Sequence, residues 1–428
     1  MAKPKLALIP SAQGSKFYSV LPSSGVGDFD FTRSGSATRI NSQGLIETVA
    51  NGVSRLNYPM IDGVVKGCPS HLLEPQRTNL LTYSEDFSVY VKNNVTVTSN
   101  STISPKGDLT ADLITEDLTL NTHRVYLGSG VNVVSSSSYS VSFFAKNNGA
   151  NNITVIAENF GELPINTTFD LVNGVILSSI SSSTIEKIGD YYYCTITATS
   201  STTRNQAIIF YINRLNVASP FSYQGNGTSG IYIWGAQFEQ GSYPTSYIPT
   251  NGTAITRAAE TANGSGNAAT FNDSEGVLMA EISAENETSS SARRISILNT
   301  TSNRILIGAE SASSTIRTVI TVGGSSKFDV SSSQLVTTNN KIAVKYSSNG
   351  SEMYINGFTV GISAIDSSFP SSTLNDLQFG SGNGNSPFYG KTRQIQYFDS
   401  ALTDAQLETL TSWTSLQEMI TSQLYTNY

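Results

Sequence analysis

The sequence predicts a mainly β, multidomain protein built from tandem antiparallel, jelly-roll-like β-sandwiches, with a separate amino-terminal segment and one carboxy-terminal helix. Three observations carry this. Short stretches of period-2 alternation recur along the chain, separated by Gly, Asn and Ser clusters. The 428 residues exceed what one core organises at about 100–200 residues per domain. Charged residues make up only 13% against 38% hydrophobic ones, about half the usual charged share of ~25%, so Ser, Thr and Asn must cover the surface.

Residues 1–73 form the first unit. In "MAKPKLALIP" the apolar run Leu6–Pro10 is shorter than the roughly 7–15 residues of a signal-peptide core. No stretch of the chain reaches the ~20 apolar residues of a membrane helix, so membrane insertion is not expected. "GDFDF" alternates Asp28 and Asp30 but lacks the further oxygen ligands of a calcium loop.

The next stretch, "LLEPQRTNLLTYSEDF", packs Glu74, Arg77, Asn79, Tyr83 and Glu85 between the apolar pairs Leu72–Leu73 and Leu80–Leu81. Pro75 excludes a regular central strand. Ser84 is placed to cap a short turn, and Glu74 and Arg77 are spaced for a local ion pair. A polar knot between apolar anchors is expected to be a structural joint at the entry to a domain.

Residues 74–246 read as the first sandwich. "YSVSFFAKN" puts Tyr139, Val141, Phe143 and Ala145 on one face, and "NITVIAEN", "YYYCTITATS", "QAIIFYINR" and "GIYIWGAQFEQG" follow at short spacing. Residues 247–273, with two prolines and many small polar residues, read as a strap. Residues 274–428 read as a second jelly roll. Within it Asn349-Gly350 and Asn356-Gly357 mark two tight turns of a three-stranded meander. Thr403 and Gln406 form a capping box ahead of Leu407, Leu410, Trp413, Leu416, Ile420 and Leu424. The stripe outruns what one domain needs, so Leu416, Ile420 and Leu424 are either an oligomer contact or part of a frayed tail.

Several function classes fall away. A net charge of -7 offers no positive field to nucleic acid. Two cysteines far apart, Cys68 and Cys194, are expected to be free thiols, and with only two histidines the paired-cysteine and HExxH zinc motifs are excluded. The GxGxxG at Gly225, Gly227 and Gly230 leads into a strand, where no helix N-terminus meets a phosphate. Glycosidases need two flanking acids, and Glu85, Asp86, Glu162 and Glu239 are the candidates weighed. Tyr191, Tyr193, Trp234 and Tyr243 either stack on a sugar or pack within the strands; they are the glycan-binding candidates. No cofactor, metal or catalytic centre is expected.

A family resemblance extends this. "PKLALIP", "GDFDFTRSGSATRINSQGLIETVANGVSRLNYP" and "CPSHLLEPQRTNLLTYSEDF" resemble the amino-terminal segment of tailed-phage virion fibre proteins, the head-spike, head-fibre and tail-fibre components. "IYIWGAQFEQGSYPTSYIPTNGTAITRAAE" is similar to the closing segment of their fibre domain. Where many of them carry a Trp, Tyr90 stands here. The last third, through "EGVLMAEI", "EMYINGFTVG" and "FYGKTRQIQYFDSALTDAQLETL", resembles concanavalin-A-like or laminin-G-like sandwiches. The resemblance implies a structural or adhesive bacteriophage protein in the virion, not an enzyme. Such a protein would attach to another virion protein through its N-terminus, form a homo-oligomer, most naturally a trimer, and display its sandwiches to a host surface glycan. The rival expectation is a carbohydrate-active depolymerase or lectin-like enzyme of the same particle.

Overall fold

The computed structural model describes residues 3–159, 161–215, 222–284, 292–310, 314–382, 384–413 and 418. Two sandwiches dominate it. The first pairs two six-stranded antiparallel sheets. One runs in the order Val91–Asn93, His123–Tyr126, Ile208–Asn213, Asn152–Ala157, Asn166–Asp170, Val175–Ser179. The other runs Val95–Thr102, Ala111–Glu116, Gly230–Gln240, Ser138–Asn148, Tyr191–Thr199, Ser182–Ile188. Alternation turns Val141, Phe143, Cys194 and Ile196 into the core between them. There Phe143 meets Phe169 and Phe210 edge-on at 5.9 and 5.4 Å.

The second sandwich faces a five-stranded sheet, Ser325–Leu335, Thr315–Val322, Asn303–Ala309, Arg293–Thr300 and Asp376–Gln378, against an eight-stranded one. The larger sheet contains the expected meander, Asn340–Ser347, Gly350–Ile355 and Phe358–Ser363. Asn356 and Gly357 both take the left-handed conformation (φ 51° and 89°) that a two-residue hairpin turn requires. At the other hairpin Ser347 pairs with Gly350, so the tip is Ser348–Asn349, one residue earlier than the Asn-Gly dipeptide suggests.

The same sheet takes in the amino-terminal segment. Leu6–Leu8 pairs with Gly390–Phe398 in the register Leu6↔Tyr397, Leu8↔Ile395. Ser70–Leu73 pairs further along that strand, Leu73↔Gly390, and Leu56–Asn57 pairs with Ser70–Leu73. Leu6 and Leu8 are fully buried among Leu278, Ile395 and Tyr397, a burial contributing about 1.5–3 kcal/mol per side chain. The strap is also paired: Ile255–Arg257 lies against Arg77–Asn79, and Thr261–Asn263 against Phe29–Thr32.

The helix Asp404–Ser412 begins as its sequence indicates, with Thr403 and Gln406 making both bonds of a capping box. Leu407, Leu410 and Trp413 pack with Val277, Met279, Ala343 and Tyr354 on the outer face of the eight-stranded sheet. Leu416, Ile420 and Leu424 lie outside the described residues. Cys68 is exposed and Cys194 buried, both as free thiols. No helix among the described residues is long and apolar enough to cross a membrane.

Candidate functional site: a cleft over a buried ion network

The opening "LLEP" becomes part of an ion network. The Glu74 carboxylate pairs with Arg55 at 2.8 Å and Arg257 at 3.0 Å, and accepts from the Ser246 amide (2.8 Å) and hydroxyl (2.6 Å). Glu260 pairs with Arg33 at 2.7 Å and with Arg55 through both carboxylate oxygens. Its Oε2 also accepts from the Glu74 amide at 2.9 Å. All five side chains are buried. Burial alone would raise the Glu74 carboxyl, but the Arg257 and Arg55 guanidiniums and the Ser246 bonds more than reverse this and hold it at about 2. The local Glu74–Arg77 pair expected from spacing therefore gives way to partners 19 and 183 residues away in sequence.

The other joint residues sit around this network. Asn79 is fully buried and works as a backbone clamp, donating to the Ala236 and Ile248 carbonyls and accepting from the Leu81 and Phe238 amides. Arg77 lies over the Tyr243 ring, 5.3 Å from its centroid. Glu85 accepts from the Tyr247 hydroxyl at 2.8 Å, and the Tyr83 carbonyl from the Tyr90 hydroxyl at 2.8 Å. Ser84 does not cap the short turn Phe87–Val89; Asp86 does, because Ser84 Oγ is engaged with Tyr247 and Thr250.

Above the network opens a cleft of about 470 Å³. Its floor includes Glu74, Thr245 and Ser246. One wall is the outer face of the second six-stranded sheet. Because Phe143 and Cys194 point into the core, their neighbours Ser142, Phe144, Tyr193 and Thr195 point out. Register pairs then set up a polar ladder: Ser182 opposite Thr197, Thr184 opposite Thr195 with hydroxyls 2.7 Å apart, and Glu186 opposite Tyr193. The facing wall comes from the strand Ala37–Ile40, with Arg39 held by Glu47 at 2.7 Å. Thr337 and Lys391 reach in from the second sandwich.

Of the four aromatic candidates, the cleft receives two, Tyr193 and Tyr243. Tyr193 packs against Phe144 with ring centroids 4.7 Å apart and planes tilted by 32°. Burial pushes its hydroxyl above the usual phenol range, so it stays a neutral donor, sharing a bond with Ser142. Trp234 is fully buried against Tyr247 at 4.5 Å and donates to Thr110 Oγ1. Tyr191 is buried and donates to the Ile103 carbonyl. Both lie on the same outer face of the sheet, packed into an apolar cluster with Phe144, Ile46 and Tyr247.

The carboxylate candidates are dispersed into separate roles. Glu162 pairs with Arg204 at 2.8 Å. Glu239, raised by burial, accepts from Thr245 and Gln237. Sequence reading missed Arg33, Arg55, Arg257 and Glu260, and also the ladder Ser182, Thr184, Glu186. The ladder has a signal, since the polar Ser182, Thr184 and Glu186 recur at every second position of "SSTIEKI"; the arginines have none.

Residues 261–408 match the family model of the concanavalin A-like lectin/glucanases superfamily, so the last third is a lectin-like sandwich. Among solved structures, the sialidase CBM40 module of Ruminococcus gnavus bound to alpha2,3 sialyllactose is similar at 14% identity and TM-score 0.29, over 32% of this chain and 83% of that one. A pentraxin of Limulus polyphemus is similar at 16% identity and TM-score 0.27, over 33% and 72%. Mouse laminin alpha1 domains LG4-5 are similar at 12% identity and TM-score 0.22, over 67% and 90%. No curated protein matches the chain.

Proposed function

We propose that the protein is a glycan-binding structural component of a bacteriophage particle, a head fibre, decoration or tail-fibre subunit, and that it holds a saccharide in the cleft without cleaving it. The observation that carries this is the ladder Ser182/Thr197, Thr184/Thr195, Glu186/Tyr193. It presents hydroxyls and a carboxylate beside an aromatic face, the mixture that matches a sugar's hydroxyl rim and apolar faces. The lectin-like fold of residues 261–408 agrees with the class, and the phage setting rests on the resemblance in residues 3–260.

Binding is favoured over hydrolysis by the state of the acids. A glycosidase needs a protonated carboxyl beside a second carboxylate. Of the two acids lining the cleft, Glu74 and Glu186, Glu74 is held ionised at about 2 and has no proton to give near neutrality. Attachment to another virion protein, with the chain as a homotrimer, completes the proposal. Since Leu6–Leu8 is an internal strand, docking falls to the exposed hairpin Met60–Ile61/Val64–Val65, where Ile61 and Val64 are 51% and 53% exposed.

The test is retention of the protein on immobilised host capsular polysaccharide, with the polymer's chain length followed by size exclusion. Retention with unshortened chains is expected, together with loss of retention in Thr184→Val/Tyr193→Ala. Shortened chains would establish the depolymerase reading instead. Light scattering is expected to give three times the 45.7 kDa chain mass.

A further inference from the structure

The strand Ser70–Leu73 ties the amino-terminal segment to the second sandwich, pairing with Gly390–Phe398 on one side and Leu56–Asn57 on the other. Alternation along it sends Leu72 to the cleft and turns His71 and Leu73 inward. His71 sits between Thr392 and Leu56 in register and is 1% exposed. Its ring lies flat on Phe17, with centroids 3.9 Å apart and planes 11° from parallel. Phe17 in turn stacks on Phe31 at 5.5 Å and meets Phe379 edge-on at 5.7 Å, so the imidazole is enclosed with phenyl rings of both the segment and the sandwich.

Neither ring nitrogen of His71 has a hydrogen-bond partner. The neutral ring leaves one donor and one acceptor unmet; an imidazolium would put two donors and a full charge into the same apolar enclosure. The charges on the surrounding strands are engaged elsewhere. Lys16, beside Phe17, pairs with Asp30 at the surface, 3.4 Å away. Arg55, beside Leu56, is committed to Glu74 and Glu260. Lys391 lines the cleft, and Arg393 reaches Glu281 at 3.7 Å. Asp376, on the strand that leads to Phe379, accepts from the Gly264 amide at 3.0 Å. No carboxylate is therefore placed to receive a charged His71, and burial holds its ring down at about 3 against an ordinary 6.5. An opened strand exposes an ordinary histidine, which takes up the proton first. The stability His71 supplies is complete above about pH 6.5 and is lost as pH falls toward 3.

We propose that His71 is an acid-sensitive latch: its protonation releases the strand Ser70–Leu73, and the Phe17 ring stacked on it, from the second sandwich while the first sandwich stays folded. Leu72 and Glu74 line the cleft, so release also takes apart that side of it, whatever the cleft binds.

The experiment is amide hydrogen exchange of the full chain between about pH 6.5 and 4.5, corrected for the intrinsic pH dependence of exchange. In that window the Glu74 contribution is still complete, so the two acid responses separate. The opening equilibrium of residues 70–73 should rise about tenfold per pH unit, the mark of one proton taken up on opening. Residues 123–126 and 138–148 of the first sandwich, which include the other histidine, His123, should keep constant protection. His71→Phe fills the same aromatic enclosure without a titratable ring and should make the opening of residues 70–73 independent of pH. His71→Leu should do the same, and serves if the larger ring overfills the site. A pH-independent opening in the wild type, or the tenfold rise retained in a folded variant, overturns the latch. Acid opening of residues 123–126 and 138–148 in step with residues 70–73 means unfolding of the whole chain and overturns it as well.

Discussion

The two sandwiches solve the same problem in opposite ways. The first draws every strand of its two six-stranded sheets from residues 91–240. The second completes its larger sheet with Leu6–Leu8 and Ser70–Leu73, both paired to a strand more than 300 residues away, and with Leu56–Asn57 added beside Ser70–Leu73. Their outer faces differ accordingly. The larger sheet of the second is covered by Asp404–Ser412 and its leucines. The corresponding face of the first carries the hydroxyl ladder and stays open as the cleft wall. A sheet face that closure of the fold does not need is where polar side chains can be spent on a ligand.

The sharpest way to break the comparison is at the network joining the two halves. Glu260→Gln leaves Arg33 and Arg55 buried without their shared carboxylate, and a stability loss of about 3–5 kcal/mol is expected, read as a fall in the denaturant midpoint. Next is Leu8→Ala. If residues 6–8 belong to the second sandwich's core, the cavity costs about 2–5 kcal/mol and lowers that sandwich's transition alone. A loss near zero would make the amino-terminal segment an appendage.

Acid provides the third test. The Glu74 carboxyl is depressed in the folded protein from 4.5 to about 2. Its contribution is therefore complete above about pH 4.5 and lost as pH falls toward 2, roughly 3 kcal/mol over that window. Glu239, shifted upward, works in the opposite direction. Unfolding free energies measured from pH 6 to 2 should decline less steeply in Glu74→Gln than in wild type. The smallest effect is at the helix: Thr403→Ala removes the capping box and should cost about 1 kcal/mol.

These contrasts also explain what could be read from the sequence. Tandem antiparallel sandwiches follow from local alternation, and the helix start follows from Thr403 and Gln406, two residues that carry their own signal. The meander is legible for the same reason, except that Phe358 is 72% exposed on an edge strand, where the pattern suggests an apolar inner face. Pairings across the whole chain leave no local trace. Nothing around Leu6 names Tyr397 as its partner, and Arg33, Arg55 and Glu260 look like scattered surface charges until the strap brings them together. Asn79 is legible as part of a structural joint because it sits between the apolar pairs Leu72–Leu73 and Leu80–Leu81 after Pro75. Which carbonyls it would hold, those of Ala236 and Ile248, is not.

The central claim is that the polar ladder of the cleft is where a saccharide binds. Amide hydrogen exchange of the full chain, with and without saturating host polysaccharide, tests it most directly. The account predicts slowed exchange in residues 182–186 and 193–197 and in the facing strand 38–40. Bound polysaccharide with exchange unchanged in all three stretches would contradict it.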